Sequence, residues 1–206
     1  MRLFKPRPRP EPGEIVLVIG LGNPGAEYEE TRHNVGFLVV DEMAARLGVA
    51  FKDAGHCSLA DNGSLYDRRV ILAKPRTYMN RSGGAVRGLL KAHGLGPADL
   101  LVVHDDLDIE FGKVRLKRTG GDGGQRGIRS IIASLGRGEG GGDFSRIRVG
   151  IGRGTERGNE ADYVLSPFTR HEREELNAVI DTAIDRVFEL IRIWDRNRIP
   201  EGRKGD

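Results

Sequence analysis

The sequence predicts an α/β fold: a single three-layer domain with a mixed, mostly parallel, twisted sheet flanked by helices. Two patterns and a length predict it. Short β-type apolar runs alternate along the chain with stretches of helical spacing. Asp61-Asn62-Gly63 between two such runs marks a hairpin, and so at least one antiparallel pair. The chain's 206 residues suffice for one well-cored domain and are short for two.

Taken in order, residues 1–13 alternate proline with charge and are expected to form a flexible Pro/Arg-rich arm ahead of a domain over 14–196. Residues 15–19 form a buried strand that breaks into a glycine-rich polar loop carrying Asn23 and His33. Val40, Met43, Ala44 and Leu47 recur at helical steps and predict a helix over 35–47, stopped by Gly48. Residues 56–60 and 69–73 are the two hairpin strands. The second runs into the polar loop 74–80, after which Ser82 is placed as the N-cap of a helix through Lys91. The next strand, 100–103, empties into His104-Asp105-Asp106-Leu107-Asp108. Strands over 112–117 and 146–151 enclose the glycine-rich loop 119–127, a short helix over 128–135 and a second glycine-rich stretch, 136–143. Thr169-Arg170-His171-Glu172 fits a capping box and opens a final helix. Its apolar stripe is Leu176, Ile180, Ala183, Val187, Ile191 and Trp194. The tip, 197–206, is expected to fray.

Composition narrows the function. Apolar residues make up 38% of the chain and charged residues 31%. No apolar run approaches the roughly 18 residues of a membrane helix, so no membrane partner is expected. Cys57 is the one cysteine, which excludes a disulfide framework and a thiolate zinc site and suits a reducing cytoplasm. The spacing of Gly20, Gly22 and Gly25 fits a dinucleotide loop. However, Pro24 and the polar run to Asn34 delay the helix that such a loop opens, and the acid at the right distance, Asp41, falls inside a helix.

The strands ending at Ile19, Ala73 and Val103 all empty into polar loops. If they run parallel, their C-terminal ends share one edge, and His33, Asp105, Asn23 and Asn80 converge on one crevice. Singly, each has a plainer reading: a surface histidine, a turn aspartate (with Asp106 and Asp108 as rivals), an Asn-Pro turn, a helix start. Together they make an imidazole, a carboxylate and amides without a nucleophile. That set suits general-base hydrolysis, in which the carboxylate holds the imidazole and the imidazole takes a proton from water. No serine lies in a G-x-S-x-G setting, Cys57 lies on a strand, and no H-E-x-x-H suggests a metal.

The basic residues add a second theme. Arg115 and Lys117 stand two apart on one strand, and Arg146 and Arg148 two apart on another, so each pair shares one strand face. The glycine-rich loop between them, with free backbone N–H groups, favours phosphate. A solvated strand face is the plainer reading of either pair.

The blocks GLGNPGAEYEETRHNVGF, KPRTYMNRSGGAV, HDDLDIEFGKVRLK, GGDGGQRGIRSII and RIRVGIG, in this order, resemble those of bacterial-type peptidyl-tRNA hydrolase. The resemblance covers about residues 15–194. It implies a monomeric, metal-free esterase without a cofactor that cuts peptide from peptidyl-tRNA released by stalled ribosomes. A transient association with the ribosome is the one further partner left open. By match, His33 is the base, Asp105 holds it, and Asn23 tells a blocked α-amine from a free one. Tyr28, Tyr78, Met79 and Asn80 line the path of the tRNA 3′ end, and Lys117 and Arg148 clamp its 5′ phosphate. Where the family's loop usually reads G-G-H-N-G, this chain reads Gly123-Gly124-Gln125-Arg126-Gly127. Arg126 therefore replaces an asparagine that contacts the substrate, and it donates hydrogen bonds without accepting any. The alternative class is a non-catalytic RNA-binding protein on the same fold; the presence of both His33 and Asp105 favours the enzyme.

Overall fold

The computed structural model describes residues 15–136, 141–154 and 160–196. The expected arm, part of the 136–143 stretch and the C-terminal tip lie outside them. The strands are β1 (Ile15–Gly20), β2 (Lys52–Ala54), β3 (Cys57–Leu65), β4 (Arg68–Pro75), β5 (Leu100–Asp106), β6 (Val114–Lys117) and β7 (Ser145–Gly150). They form a seven-stranded sheet in the order β2-β3-β4-β1-β5-β7-β6. The central strands β4, β1, β5 and β7 are parallel, while β3 and β6 run against their neighbours. The helices are α1 (Val35–Arg46), α2 (Ser82–His93), α3 (Arg126–Leu135), α4 (Glu160–Val164) and α5 (Arg170–Arg196).

Strand alternation divides the core into two layers. Val16, Val18, Val70, Leu72, Leu101, Val103, Ile147 and Val149 pack with α1 and with Ile180, Ala183, Ile184, Val187 and Ile191 of α5. Leu17, Ile19, Ile71, Ala73, Leu100 and Val102 pack with Val86 and Leu90 of α2 and Ile128 and Ile131 of α3. Central strands buried on both sides read as unbroken apolar runs, as these do. The capping box at Thr169 is present: its N–H donates to Glu172 Oε2 at 2.6 Å, and Glu172 N–H donates to Thr169 Oγ1 at 3.2 Å.

Several boundaries differ from the sequence reading. The hairpin exists, but its turn is Tyr66-Asp67, both at positive φ (50° and 57°), a pair of left-handed residues that suits the strand twist. Asp61-Asn62 instead form an irregularity inside β3, where the register passes from Ala60↔Leu72 to Gly63↔Val70. Asp61 binds the Arg69 guanidinium there. Ser82 is the first residue of α2 rather than its cap, and its hydroxyl donates back to the Met79 carbonyl at 2.9 Å. β5 continues through His104, Asp105 and Asp106, because the loops covering its tip bury these polar residues and let pairing with β7 persist. Neither β2 nor α4 was foreseen. Arg146 lies on no solvated face: it is 1% exposed, and its guanidinium donates to the carbonyls of Gly120, Gly121 and Gly142.

A close approach of α1 to the sheet sets the position of everything at its N-terminus. A Cβ on Gly36 would lie 2.4 Å from the Val103 carbonyl oxygen, and one on Gly20 would lie 2.3 Å from the Gly36 carbonyl oxygen. Two facing glycines thus let the helix start press onto the ends of β1 and β5. Gly36→Ala is expected to destabilise the protein by about 1–3 kcal/mol through overpacking. Gly84→Ala, on α2 where a Cβ would meet nothing within 4 Å, should stabilise it by about 0.5–1 kcal/mol. Denaturant melts of the two variants check both signs.

Candidate active site

The parallel strands β4, β1 and β5 deliver their loops to one edge, where a cleft of about 500 Å³ opens. Asn23 comes from the loop after β1, Met79 and Asn80 from a 3-10 turn after β4, and Asp105 from the tip of β5. His33 sits in the 3-10 turn Arg32–Asn34 that leads into α1. All five line the cleft together with Tyr28, Tyr78 and Arg126, so the convergence expected from the sequence is realised.

His33 Nδ1 lies 2.7 Å from Asp105 Oδ2. A carboxylate acceptor places the ring proton on Nδ1 and leaves Nε2 as the free acceptor of a neutral imidazole. The other oxygen, Asp105 Oδ1, accepts from Gln125 Nε2 at 2.9 Å. Burial on its own would push the Asp105 carboxyl up; the neighbouring His33, the Gln125 amide and His104 outweigh it and hold the group below its ordinary range. Since the carboxyl is depressed, the charged form is kept as pH falls until its own low value is reached. His104 lies behind, with Nδ1 donating to the Asp105 carbonyl at 2.7 Å, and burial pushes its imidazole down. Burial also pushes the Cys57 thiol up to about 11, so it is no nucleophile.

Asn23 is oriented from two sides. Its backbone N–H donates to Asn34 Oδ1 at 2.8 Å, and Asn34 Nδ2 donates back to the Asn23 carbonyl at 2.9 Å. Its side-chain Oδ1 accepts from the Met79 N–H at 2.8 Å. With the carbonyl end occupied, the NH₂ end is what Asn23 offers to the cleft. At the mouth, Tyr28 and Tyr78 meet edge to face, with centroids 6.4 Å apart, and Tyr78 is 56% exposed.

Sequence reasoning passed over the group that seats the histidine turn. Arg32 forms a two-bond pair with Glu172, at 3.1 and 2.6 Å, donates to Ser166 Oγ at 2.5 Å, and stacks 4.4 Å over the Tyr163 ring. Glu172 is also the capping-box residue of α5, so one carboxylate ties that helix to the turn holding His33. Asn34 and Gln125 were missed as well. Asn34 adjoins His33 in the sequence, a signal in plain view; Gln125, an uncommon N-cap residue, was signalled only by standing where the resembled loop usually has histidine.

Away from the cleft, β6 and β7 bring the basic pairs together in antiparallel register, Arg115 opposite Arg148 and Lys117 opposite Arg146. Arg148 is not a free cation, since its Nε donates to Asp106 Oδ2 at 2.6 Å. Arg115 is exposed and makes no hydrogen bond to a carboxylate among the described residues. Like charges directly opposite repel; Asp106 bonded to Arg148, Glu110 near Arg115 and Asp122 near Arg146 offset part of that repulsion. Lys117 Nζ rests on the Gly121 carbonyl at 3.1 Å, beside the loop that Arg146 holds from within. Among the described residues no three His, Cys, Asp or Glu side chains are grouped to hold a metal ion.

Residues 17–198 match the family model described as peptidyl-tRNA hydrolase. The chain is 50% identical over 183 residues to the peptidyl-tRNA hydrolase of Rhodococcus erythropolis, covering 87% of this chain and 93% of that one. It is 51% identical over 180 residues to that of Mycobacterium sp. strain KMS, covering 86% and 91%. Among solved structures, peptidyl-tRNA hydrolase from Acinetobacter baumannii superposes with a TM-score of 0.78 at 34% identity, covering 93% of this chain and 94% of that one. A peptidyl-tRNA hydrolase crystallised with N-propanol gives 0.81, also at 34% identity, with 91% and 94% covered. With its cleft, its His–Asp pair and these matches over most of its length, the chain belongs to the peptidyl-tRNA hydrolase family.

Proposed function

We propose that this protein hydrolyses the ester joining a peptide, or an N-blocked aminoacyl group, to the 3′ end of tRNA, with His33 as general base. The observation that carries the reading is the bond from His33 to Asp105, which leaves Nε2 basic and facing the cleft. Nε2 takes a proton from water as the oxygen adds to the ester carbonyl. Asp105 stabilises the imidazolium that forms. Collapse of the tetrahedral intermediate breaks the bond to the ribose oxygen, which leaves with the proton from Nε2.

Asn23 supplies a reason for selecting blocked substrates. Its outward NH₂ donates to the carbonyl that an N-acyl group carries and meets a free ammonium donor to donor. The Tyr28–Tyr78 pair offers faces on which a terminal base stacks, while Met79 and Asn80 flank the ester. Arg126, at the first position of α3, holds a phosphate or ribose near the cleft mouth. Arg115, Lys117 and Arg148 grip a tRNA phosphate remote from the chemistry, with Arg148 shared between that phosphate and Asp106. We extend the reading to a monomer acting in the cytoplasm, with transient ribosome association, that recycles tRNA after drop-off.

His33→Ala should lower kcat on N-acetyl-aminoacyl-tRNA by about 10²- to 10⁴-fold and leave tRNA binding intact; undiminished turnover would remove His33 from the mechanism. For the phosphate grip, Arg115→Ala with Lys117→Ala is a cleaner probe than any change at Arg148, whose loss strands the Asp106 charge. The double variant should raise KM for full-length tRNA, flatten the log affinity–log salt slope by roughly 0.7 to 0.9 per lost contact, and spare a short ester on the terminal nucleotide. Equal losses on both substrates would refute the grip. Arg126→Ala should raise KM with kcat held, and Arg126→Asn should be near neutral; a KM unmoved in both places this side chain in solvent.

A further inference from the structure

Asp105 is 3% exposed, and its two oxygens have separate partners. His33 takes Oδ2 at 2.7 Å, and Gln125 takes Oδ1 at 2.9 Å. Gln125, itself 8% exposed, is held at its other end, where Oε1 accepts from the Ile128 N–H at 2.9 Å and so caps α3. Its Nε2 also lies 3.3 Å from Met79 Sδ, and the N–H of that same Met79 orients Asn23. The amide is therefore fixed in one sense, with carbonyl to the helix and NH₂ to the carboxylate. A flipped amide would set an oxygen against Asp105 and leave the Ile128 N–H unmet.

We infer that Gln125 is a positioning residue for the hydrolysis: a non-titrating donor that links the N-terminus of α3 to the Asp105 carboxylate and so fixes the orientation and charge of the group that holds His33. The inference rests on the reading of His33 and Asp105 as base and holder. The chain of bonds from Ile128 N–H to the Gln125 carbonyl and from the Gln125 NH₂ to the carboxylate is polarised in one direction, each bond strengthening the next. The helix end from which it starts carries partial positive charge. The ionisable groups around Asp105 are His33 from the turn before α1 and His104 and Asp106 on β5 itself, while Gln125 is the donor that α3 contributes. Because an amide neither gains nor loses a proton in this range, its support of the carboxylate does not vanish at any working pH.

The test separates capping from positioning. Gln125→Ser keeps a preferred N-cap oxygen for α3 but cannot reach Asp105; Gln125→His restores an N–H donor that does titrate. In Gln125→Ser, the midpoint of the Asp105 carboxyl, followed by ¹³C NMR, should move up. On N-acetyl-aminoacyl-tRNA, kcat should fall about 10- to 100-fold, the loss of one hydrogen bond to a charge, with KM unchanged and the acidic limb of the rate profile moved to higher pH. Gln125→His should recover most of kcat above neutrality and add to the Asp105 titration a step, from the new imidazole, that wild type lacks. An Asp105 midpoint and acidic limb unmoved in Gln125→Ser would reduce Gln125 to a helix cap. If that variant does not fold, an Asp105 titration in Gln125→His identical to that of wild type overturns the inference instead. A wild type that fails to cleave the substrate would sink the esterase reading, while the carboxyl midpoints would still decide the role of Gln125.

Discussion

A buried carboxylate is the constraint on which the site depends. Taking a charge out of water costs several kcal/mol even after the surroundings relax, and Asp105, at the tip of a central strand, has almost no solvent to offset this. The site answers with donors brought from separate elements: the imidazole of His33 ahead of α1 and the amide of Gln125 at the start of α3. Each hydrogen bond to a charge contributes about 1.5–3 kcal/mol, so two of them come near balancing the penalty, and losing either leaves it exposed. The two helices lie on opposite faces of the sheet. Both layers must be in place before the carboxylate is satisfied, which couples completion of the fold to assembly of the site.

The same dependence explains the glycines and the arginine near His33. A histidine that must reach a strand tip needs its helix start pressed onto the sheet, which the Gly20–Gly36 contact permits and a pair of Cβ atoms would forbid. It also needs its turn held from the far side. Arg32 does this by stacking on Tyr163 and pairing with Glu172, so the N-terminus of α5 braces the turn. A flexible loop could bring His33 to Asp105 only at an entropic cost of order 1–2 kcal/mol per ordered backbone residue. Here that ordering is shared with the packing of α1, α4 and α5.

Much of this was legible because the relevant signals are local. Runs such as Ile15 to Ile19 read as buried strands wherever they occur, and strands ending in polar loops bring their residues to one edge once they are parallel. His33, Asp105 and Asn23 could therefore be chosen from topology. What stayed hidden depends on partners far along the chain. Nothing near Arg32 announces Glu172, 140 residues away. Period-two patterning put Arg146 on one strand face with Arg148, open to phosphate or to solvent, because alternation shows which side a residue points to and not what covers that side. Asn62-Gly63 carries the stronger turn signal, yet the strand absorbs it as an irregularity and turns at Tyr66-Asp67. Pairing with β4 on both sides of the irregularity holds the hairpin there. His104 to Asp106 looked like loop because they are polar, when in fact the covering loops let them remain strand.

Strand alternation also explains how two adjacent carboxylates come to behave differently. Asp105 and Asp106 follow one another at the tip of β5, and successive side chains leave a strand on opposite sides. Asp105 meets an imidazole and an amide; Asp106 meets the guanidinium of Arg148 from β7 and accepts from the Asp108 N–H at 3.0 Å. Left unpaired, Asp106 would repel its neighbour and push the Asp105 carboxyl up, opposing the charge that the site requires. A permanent cation on Asp106 removes that repulsion without competing for the oxygens of Asp105. It also ties Arg148, which lies opposite Arg115 of β6, to the tip of β5. One strand tip thus separates the two electrostatic tasks by a single residue: a carboxylate kept for the histidine, and another kept quiet by the arginine that faces the surface where phosphate is expected.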